Sequence, residues 1–309
     1  MNHNLYKLLL YFNKKQYWRR IEQPKYAVAT RLGAYFNMSF KDRLYDNHYD
    51  LFDEKGYPIR KNKKGETVYN YTTLCSYALA NWQEYLETAD KKFLKPLFLV
   101  VDYLKNNHEI ADYGGVIFTM GGRTCAMSQG EALAVIARAY EVRPDKDLIE
   151  FAKKIIHPFE VFVAERGVKG YFKEVDTIWY EENTTLPYKH ILNGMNYALM
   201  GLYDIYQVLP ELQEAKELWE KGIESLQKAL PLFDTGKWSH YWWDESPTPH
   251  YIASAMYHNL HICQLRHLYS LSGIEQFKIY ADKFESYQNS FLNRMNAGFK
   301  LVSGKFRMR

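Results

Sequence analysis

The 309-residue chain contains few cysteines, and none of them is paired in sequence. Cys75, Cys125 and Cys263 are far apart and form no CxxC motif, so they predict neither a disulfide framework nor a zinc site. Each lies in or next to an apolar helical run and is expected to be a small core residue.

The chain also lacks a strong excess of charge and a long hydrophobic run. Its 40 basic and 36 acidic side chains leave a net charge of +4, which is too small and too dispersed to predict nucleic-acid binding. It is compatible with a polyanionic substrate. The apolar run over 5–12 contains Lys7, is too short to span a membrane, and is followed by no small-residue cleavage site. These features predict a cytoplasmic protein without a membrane span.

Several common catalytic motifs are absent as well. No Gly-rich phosphate loop follows a strand, and the sequence contains neither GxSxG nor HExxH. Phosphoryl transfer, serine hydrolysis and zinc proteolysis are therefore disfavoured. His258 and His261 have a helical HxxH spacing, but no third ligand is placed beside them, so packed or hydrogen-bonded histidines are expected. We predict no bound metal and no cofactor.

Aromatic residues, by contrast, are abundant. They make up 17% of the chain and include 27 tyrosines, more than a core requires. Two explanations stay open. The rings either fill wide helix–helix interfaces, or form a surface that stacks on ring-shaped ligands such as sugars.

From Tyr71 onward, two kinds of helical segment alternate. One kind is apolar nearly all round and should be buried, whereas its partner has a charged face and should lie outside. The buried kind covers 72–86, 127–142, 190–208 and 257–273, and the partners cover 91–107, 145–165, 211–229 and 275–294.

This recurring helix–turn–helix unit predicts a mainly α fold. We expect an α/α toroid, an incomplete barrel of helical hairpins, with short β-hairpins in its site loops. Residues 71–309 would form this catalytic unit. Residues 1–70 would add an N-terminal helix over 5–20 and an irregular, Tyr-rich arm packed on the barrel.

Three long connections precede inner helices and should face one end of such a barrel: 114–126, 170–189 and 236–251. The second contains WYEEN, whose Glu181 and Glu182 are adjacent carboxylates beside two aromatic residues. Two interpretations stay open. In the first, one glutamate is solvated and the other caps a helix or pairs with Lys189. In the second, one glutamate is held among aromatics as a general base.

Other residues at this end could serve acid/base chemistry on a carbohydrate. Tyr257 lies near the start of an inner helix, where the helix dipole would favour its ionised form, and Tyr241 is a second candidate. Gln129 and Asn193 begin inner helices and could bind a polyhydroxylated ligand. Glutamate and tyrosine are thus the predicted proton carriers.

Six short motifs, in order, resemble the C-terminal helical domain of D-glucuronyl C5-epimerases over residues 70–295. They are AMSQGEAL (126–133), GVKGYF (167–172), WYEE (179–182), LNGMNYALMGLYD (192–204), LPLFDTG (230–236) and YHNLHICQL (257–265). The resemblance implies an enzyme that inverts C5 of glucuronate in a heparosan-type polysaccharide, giving iduronate. It also implies a possible homodimer.

The resemblance implies that Glu182, Tyr257 and Tyr241 carry the protons. The chain departs from the family pattern at Asn183, where a functional tyrosine is usual. That role would pass to Tyr180 or Tyr188.

A second departure follows Tyr241, where the family has an arginine and this chain reads Trp-Trp-Asp over 242–244. The substrate carboxylate would then be bound by Arg123, with His240 or His258 behind it. The remaining predicted substrate contacts are Gln129, Glu181, Asn183, Tyr188 and Asn193.

Two alternatives to an epimerase stay open. A polysaccharide lyase or glycoside hydrolase of the α/α-toroid type would use a similar site, and a lyase shares the abstraction of the C5 proton. A non-catalytic glycan-binding module is the other alternative.

Overall fold

The computed structural model describes residues 11, 24–36, 38, 51–62, 64–244 and 251–307, with only the backbone course for 301–307. Apart from residue 11, the helix predicted over 5–20 lies outside the described residues, as do residues 245–250 of the third predicted loop. Among the described residues, no helix is long and apolar enough to cross a membrane.

Eight helices pair into four hairpins, each formed by a buried helix and an amphipathic partner. Neighbouring buried helices contact one another, so the predicted α/α toroid is confirmed. The buried helices are α1 (Tyr71–Thr88), α3 (Ala126–Val142), α5 (Leu192–Val208) and α7 (Ala255–Ser272). Their outer partners are α2 (Leu94–Asn106), α4 (Lys146–Ile156), α6 (Gln213–Ala229) and α8 (Glu275–Asn289).

Helices α3 and α5 approach each other closely because glycines face each other between them. A Cβ built at Gly201 would overlap the backbone of Gly130, and one at Gly130 would lie 2.6 Å from the Cα of Ala198. Any larger side chain would push the two helices apart. The contact holds the two helices that begin under the site loops side by side.

Two outer segments differ from their predicted lengths. Helix α4 ends at Ile156 instead of continuing to 165, because Pro158 cannot extend the α-helical hydrogen bonding and a 3₁₀ turn follows. The segment predicted over 275–294 is interrupted at Ser290, whose backbone is extended. A further helix, α9 (Phe291–Arg307), follows it and was not predicted.

The described residues form five antiparallel two-stranded ladders in the loops, in line with the predicted short hairpins. The last of these ladders joins the second and third site loops to each other. The pairs are β1 (Arg60–Lys61) with β2 (Thr67–Val68), β3 (Glu109–Ile110) with β4 (Val116–Ile117), β5 (Thr119–Met120) with β6 (Arg123–Thr124), β7 (Lys169–Phe172) with β8 (Thr177–Tyr180), and β9 (His190–Ile191) with β10 (Trp242–Trp243).

Part of the predicted arm packs on the toroid. The carbonyl of Gly33 accepts hydrogen bonds from Trp82 Nε1 at 3.1 Å and Arg138 Nη2 at 3.0 Å. Arg138 is itself buried in an ion pair with Asp204, at 2.6 Å. Residues 24–36 therefore lie against the buried helices, while a domain boundary at residue 70 stays a prediction.

Candidate active site

Backbone contacts bring the three site loops together at the N-terminal ends of the buried helices. The N–H of Ala126, at the start of α3, donates to the carbonyl of Glu181 at 3.0 Å. Strands β9 and β10 pair Ile191 with Trp242. Each loop is thus tied to a second one, and their side chains meet above α3, α5 and α7.

Glu182 lies at this meeting point and is 8% exposed. Its Oε2 accepts a hydrogen bond from Asn193 Nδ2 at 3.0 Å, and a Cβ at Gly194 would lie 2.6 Å from the same oxygen. Burial raises the pKa of Glu182 to about 7, partly opposed by the Asn193 hydrogen bond. Near neutral pH the carboxyl can therefore take up and release a proton, as a general base requires.

Glu181 is placed differently, although it is the next residue. It is completely buried, and its Oε1 lies 2.7 Å from Nδ1 of His190. Burial raises its pKa, and the hydrogen bond and charge of His190 oppose that rise. The predicted contact between Glu181 and substrate is wrong, since this carboxyl is enclosed in the protein.

Tyr241 and Tyr257 form a second part of the site. Their ring centroids are 4.4 Å apart, and their side chains are hydrogen-bonded to each other. Burial, followed by the negative charge of Glu182, raises the pKa of Tyr241 far above its usual value. Tyr241 is therefore neutral at physiological pH and able to donate a proton. Ionisation of Tyr257 by the helix dipole stays a prediction.

Two further residues interact with the two glutamates and were not predicted to belong to the site. Cys125, at the N-cap of α3, is fully buried, and burial together with the charge of Glu182 raises its pKa to about 12. His190 holds Glu181. No motif marked either residue, and only their positions immediately before buried helices could have drawn attention to them.

Tyr180 lies outside the site, so its predicted role as a proton carrier is wrong. It is fully buried, and its hydroxyl donates to the carbonyl of Leu218 at 2.7 Å. Its ring packs so closely on Gly222 that a Cβ there would lie 2.8 Å from it. The side chain fills the space between β8 and α6 and has no path to a ligand.

Gln129 is also a structural residue, and its predicted contact with a ligand is wrong. Its Oε1 accepts from the N–H of Phe118 at 2.6 Å, and its Nε2 donates to the carbonyls of Val116 at 2.9 Å and Ile155 at 3.1 Å. The amide is fully buried and joins the loop after β4 to α4.

His258 points away from the site towards α8, so its predicted support of a substrate carboxylate is wrong. Its Nδ1 lies 2.7 Å from Ser239 Oγ, and its Nε2 donates to the carbonyl of Phe284 at 2.9 Å. Burial lowers its pKa to about 3. His261 contacts the same serine hydroxyl, at 3.0 Å. The HxxH pair is hydrogen-bonded as expected, and among the described residues no group of three or more ligands could hold a metal ion.

The remaining predicted residues line the rim. Arg123 is exposed on β6, and its guanidinium donates to the hydroxyl of Thr185. Asn183 accepts from the N–H of Thr185 at 3.1 Å. Tyr188 is half-buried and lies 6.3 Å from the ring of His190.

His240, also half-buried, contacts the Trp243 ring edge-on at 5.9 Å. Its neighbour Tyr241 lies in the cluster with Glu182, whereas the side chain of His240 points to the other side of the backbone. Substrate roles for these rim residues stay predictions.

The profile of the family described as D-glucuronyl C5-epimerase C-terminus matches residues 103–286, more than half of the 309 residues. The chain belongs to this family. The matched region contains every residue of the cluster formed by Glu182, Asn193, Tyr241 and Tyr257.

Similarity to individual proteins agrees with this assignment. A D-glucuronyl C5-epimerase of Caenorhabditis elegans is 33% identical over 178 residues, which are 52% of this chain and 28% of that protein. The chain thus matches little more than a quarter of the relative's length.

Two solved structures share the fold. A sugar epimerase from a ruminal bacterium has a TM-score of 0.53 at 13% identity, covering 93% of this chain and 83% of that one. An α-1,6-mannanase from Salegentibacter has a TM-score of 0.55 at 14% identity, covering 79% of this chain and 67% of that one. At such low identity these structures support the toroid alone.

Proposed function

We propose that the protein is a uronate C5-epimerase that converts D-glucuronate to L-iduronate units in a heparosan-like glycan. The observation that carries the proposal is the buried carboxyl of Glu182, with a pKa of about 7, beside the hydrogen-bonded Tyr241–Tyr257 pair. A base that ionises near neutral pH and a neutral acid are the two groups that inversion at a carbon requires. Membership of the epimerase family supports the same reaction.

In the proposed reaction, the Glu182 carboxylate takes the C5 proton of a glucuronate ring. The C–H bonding electrons move into the adjacent carboxylate, which becomes an enolate-like dianion. Tyr241 then donates its hydroxyl proton to the opposite face of C5 and becomes a phenolate. Exchange with solvent returns both groups to their starting protonation states. No electron leaves the substrate, so no redox partner is required.

The dianion requires a nearby positive charge, because a buried site stabilises extra negative charge poorly. Arg123 is the rim cation that we predicted for this purpose. Its guanidinium donates a hydrogen bond to Thr185, on the loop that follows Glu182, and this contact supports the proposal.

The proposal is tested by incubating the protein with heparosan in deuterated water and following C5 deuterium and iduronate by NMR. We expect exchange in the wild type and a loss of at least a hundredfold in Glu182→Gln and Tyr241→Phe, since one proton carrier typically contributes that much. Tyr180→Phe is the matched control, because it removes a buried tyrosine hydroxyl outside the site. It should exchange normally.

The outcomes separate the function from the residue assignment. Wild-type protein that exchanges no C5 proton on any glucuronate glycan would refute the proposed function. Normal exchange in Glu182→Gln would refute the role of Glu182 and leave the reaction in place.

A polysaccharide lyase is the second candidate, and the tyrosine pair is the observation that favours it. A lyase also removes the C5 proton but then expels the C4 oxygen, which a tyrosine hydroxyl could protonate. It would produce an unsaturated uronate with ultraviolet absorbance, whereas an epimerase would leave the chain length and the absorbance unchanged.

A further inference from the structure

A lysine lies over a tryptophan ring at the mouth of the site. The Nζ of Lys189 is 4.7 Å from the centroid of the Trp242 ring. The Trp242 ring makes a second contact, because it stacks on Tyr251 with ring centroids 4.6 Å apart and an interplanar angle of 5°. All three side chains are half-buried, so the group reaches the surface.

The register of the β9–β10 ladder explains this arrangement. Ile191 pairs with Trp242 and His190 with Trp243. Because side chains alternate along a strand, Lys189 lies on the same side as Ile191 and Trp242, whereas His190 points to the other side. There His190 holds the buried Glu181. Lys189 is consequently directed to the surface beside the indole.

The ammonium of Lys189 has no carboxylate partner among the described residues; its recorded contact is the indole. Lys216 provides a contrast, because it lies 5.8 Å from the Tyr206 ring and also pairs with Glu220 at 3.7 Å. A lysine whose only contact is a partly exposed ring is stabilised little by that contact. Its charge remains available to an anionic ligand.

The lysine is also close to the proposed reaction centre. The Trp242 ring contacts Tyr241 edge-on with centroids 5.6 Å apart, and Tyr241 is the proposed proton donor. A sugar bound against Tyr241 would thus lie about one ring width from the indole. The long lysine side chain can swing across this distance without a change of backbone.

We propose that Lys189 binds the carboxylate of an acidic sugar at this mouth, and that it leaves the Trp242 ring when it does so. A hydrogen bond from an ammonium to a carboxylate is stronger than an exposed cation–π contact, so ligand binding drives the exchange. The uncovered face of Trp242, held flat by Tyr251, then stacks on a sugar ring. That the acidic sugar is a uronate rests on the proposed function.

The test is an equilibrium titration of tryptophan emission with heparosan oligosaccharides and with the same oligosaccharides after reduction of their carboxyl groups. Moving an ammonium away from an indole changes that indole's emission. We expect Lys189→Met to weaken heparosan binding about tenfold and to reduce its salt dependence, because a charged hydrogen bond is lost. Trp242→Leu should weaken binding and abolish the emission change.

Two matched controls accompany these variants. Lys216→Met removes a lysine of the outer helix α6 that lies over the ring of Tyr206. This variant should bind the ligand as the wild type does. Carboxyl-reduced oligosaccharide should bind the wild type at least as weakly as heparosan binds Lys189→Met, and reduction of the carboxyl groups should weaken binding to Lys189→Met less than binding to the wild type.

The outcomes distinguish this proposal from the proposed function. Equal affinity of wild type and Lys189→Met for heparosan overturns the role of Lys189, whether or not C5 exchange occurs. Binding that depends on Lys189, without C5 exchange, supports the carboxylate site and refutes the epimerase. Wild-type protein that binds neither ligand overturns both.

Discussion

Replacing Glu182 by glutamine should stabilise the protein at alkaline pH while abolishing its activity. The carboxyl has its pKa raised by burial from 4.5 to about 7. Below pH 4.5 it is protonated in the folded and the unfolded chain. Between pH 4.5 and 7 the unfolded chain loses the proton first, so the folded chain binds more protons and the free energy of unfolding falls as pH rises.

The size of the effect follows from the same pKa values. The raised pKa of Glu182 lowers the free energy of unfolding by about 1 kcal/mol at pH 5 and by about 3 kcal/mol at pH 8.5. Glutamine keeps the size of Glu182 and can still accept the hydrogen bond from Asn193 Nδ2, but it never ionises. Any constant offset due to the amide drops out when the two pH values are compared. Relative to wild type, Glu182→Gln should therefore gain about 2 kcal/mol between pH 5 and pH 8.5.

Urea denaturation of both proteins at several pH values measures this difference. Glu224→Gln is the matched control, because the Glu224 side chain is 65% exposed and its replacement should give a difference from wild type that changes little with pH. A difference between Glu182→Gln and wild type that stays constant from pH 5 to pH 8.5 would refute the reasoning. It would mean that Glu182 is as well solvated as an ordinary surface glutamate.

Three other predictions concern the site and its support. C5 exchange should rise with pH through an inflection near 7, as the Glu182 base ionises, and a flat rate from pH 6 to 8 would argue against that base. Tyr180→Phe removes the hydrogen bond to Leu218 and should lower the free energy of unfolding by about 1 kcal/mol, measured in urea, with unchanged exchange. Asp204→Asn leaves the buried Arg138 without its counter-charge and should cost about 3 kcal/mol or more; a loss under 1 kcal/mol would contradict the burial of this pair.

The helical architecture could be predicted from the sequence because burial determines it locally. Segments that are apolar all round became inner helices, and those with a charged face became outer ones. The predicted end of α4 was too late because the apolar pattern continues beyond Pro158. Helix α9 was missed because large apolar side chains in its first turn face solvent, with Phe291 57% and Leu292 63% exposed, so its pattern does not mark a core face.

The site was only partly predictable, for a different physical reason. The position of a side chain on a loop depends on contacts with distant segments, which local periodicity does not encode. Gln129 and Asn193 have similar positions at the starts of inner helices. The Gln129 amide donates its hydrogen bonds to backbone carbonyls of β4 and α4. The Asn193 amide donates to the carboxyl of Glu182. Nothing in either local sequence distinguishes these outcomes.

The two glutamates of WYEEN differ in the partner that the fold gives to each carboxyl. Both carboxyls are buried, and burial raises both pKa values. His190 offers Glu181 an ionisable partner that offsets the cost of its charge, so this carboxyl can anchor the loop. Asn193 offers Glu182 only a neutral donor, which leaves its charge poorly compensated. That poor compensation destabilises the fold at neutral pH, and the same imbalance raises the pKa of Glu182 to about 7, as the proposed general base requires.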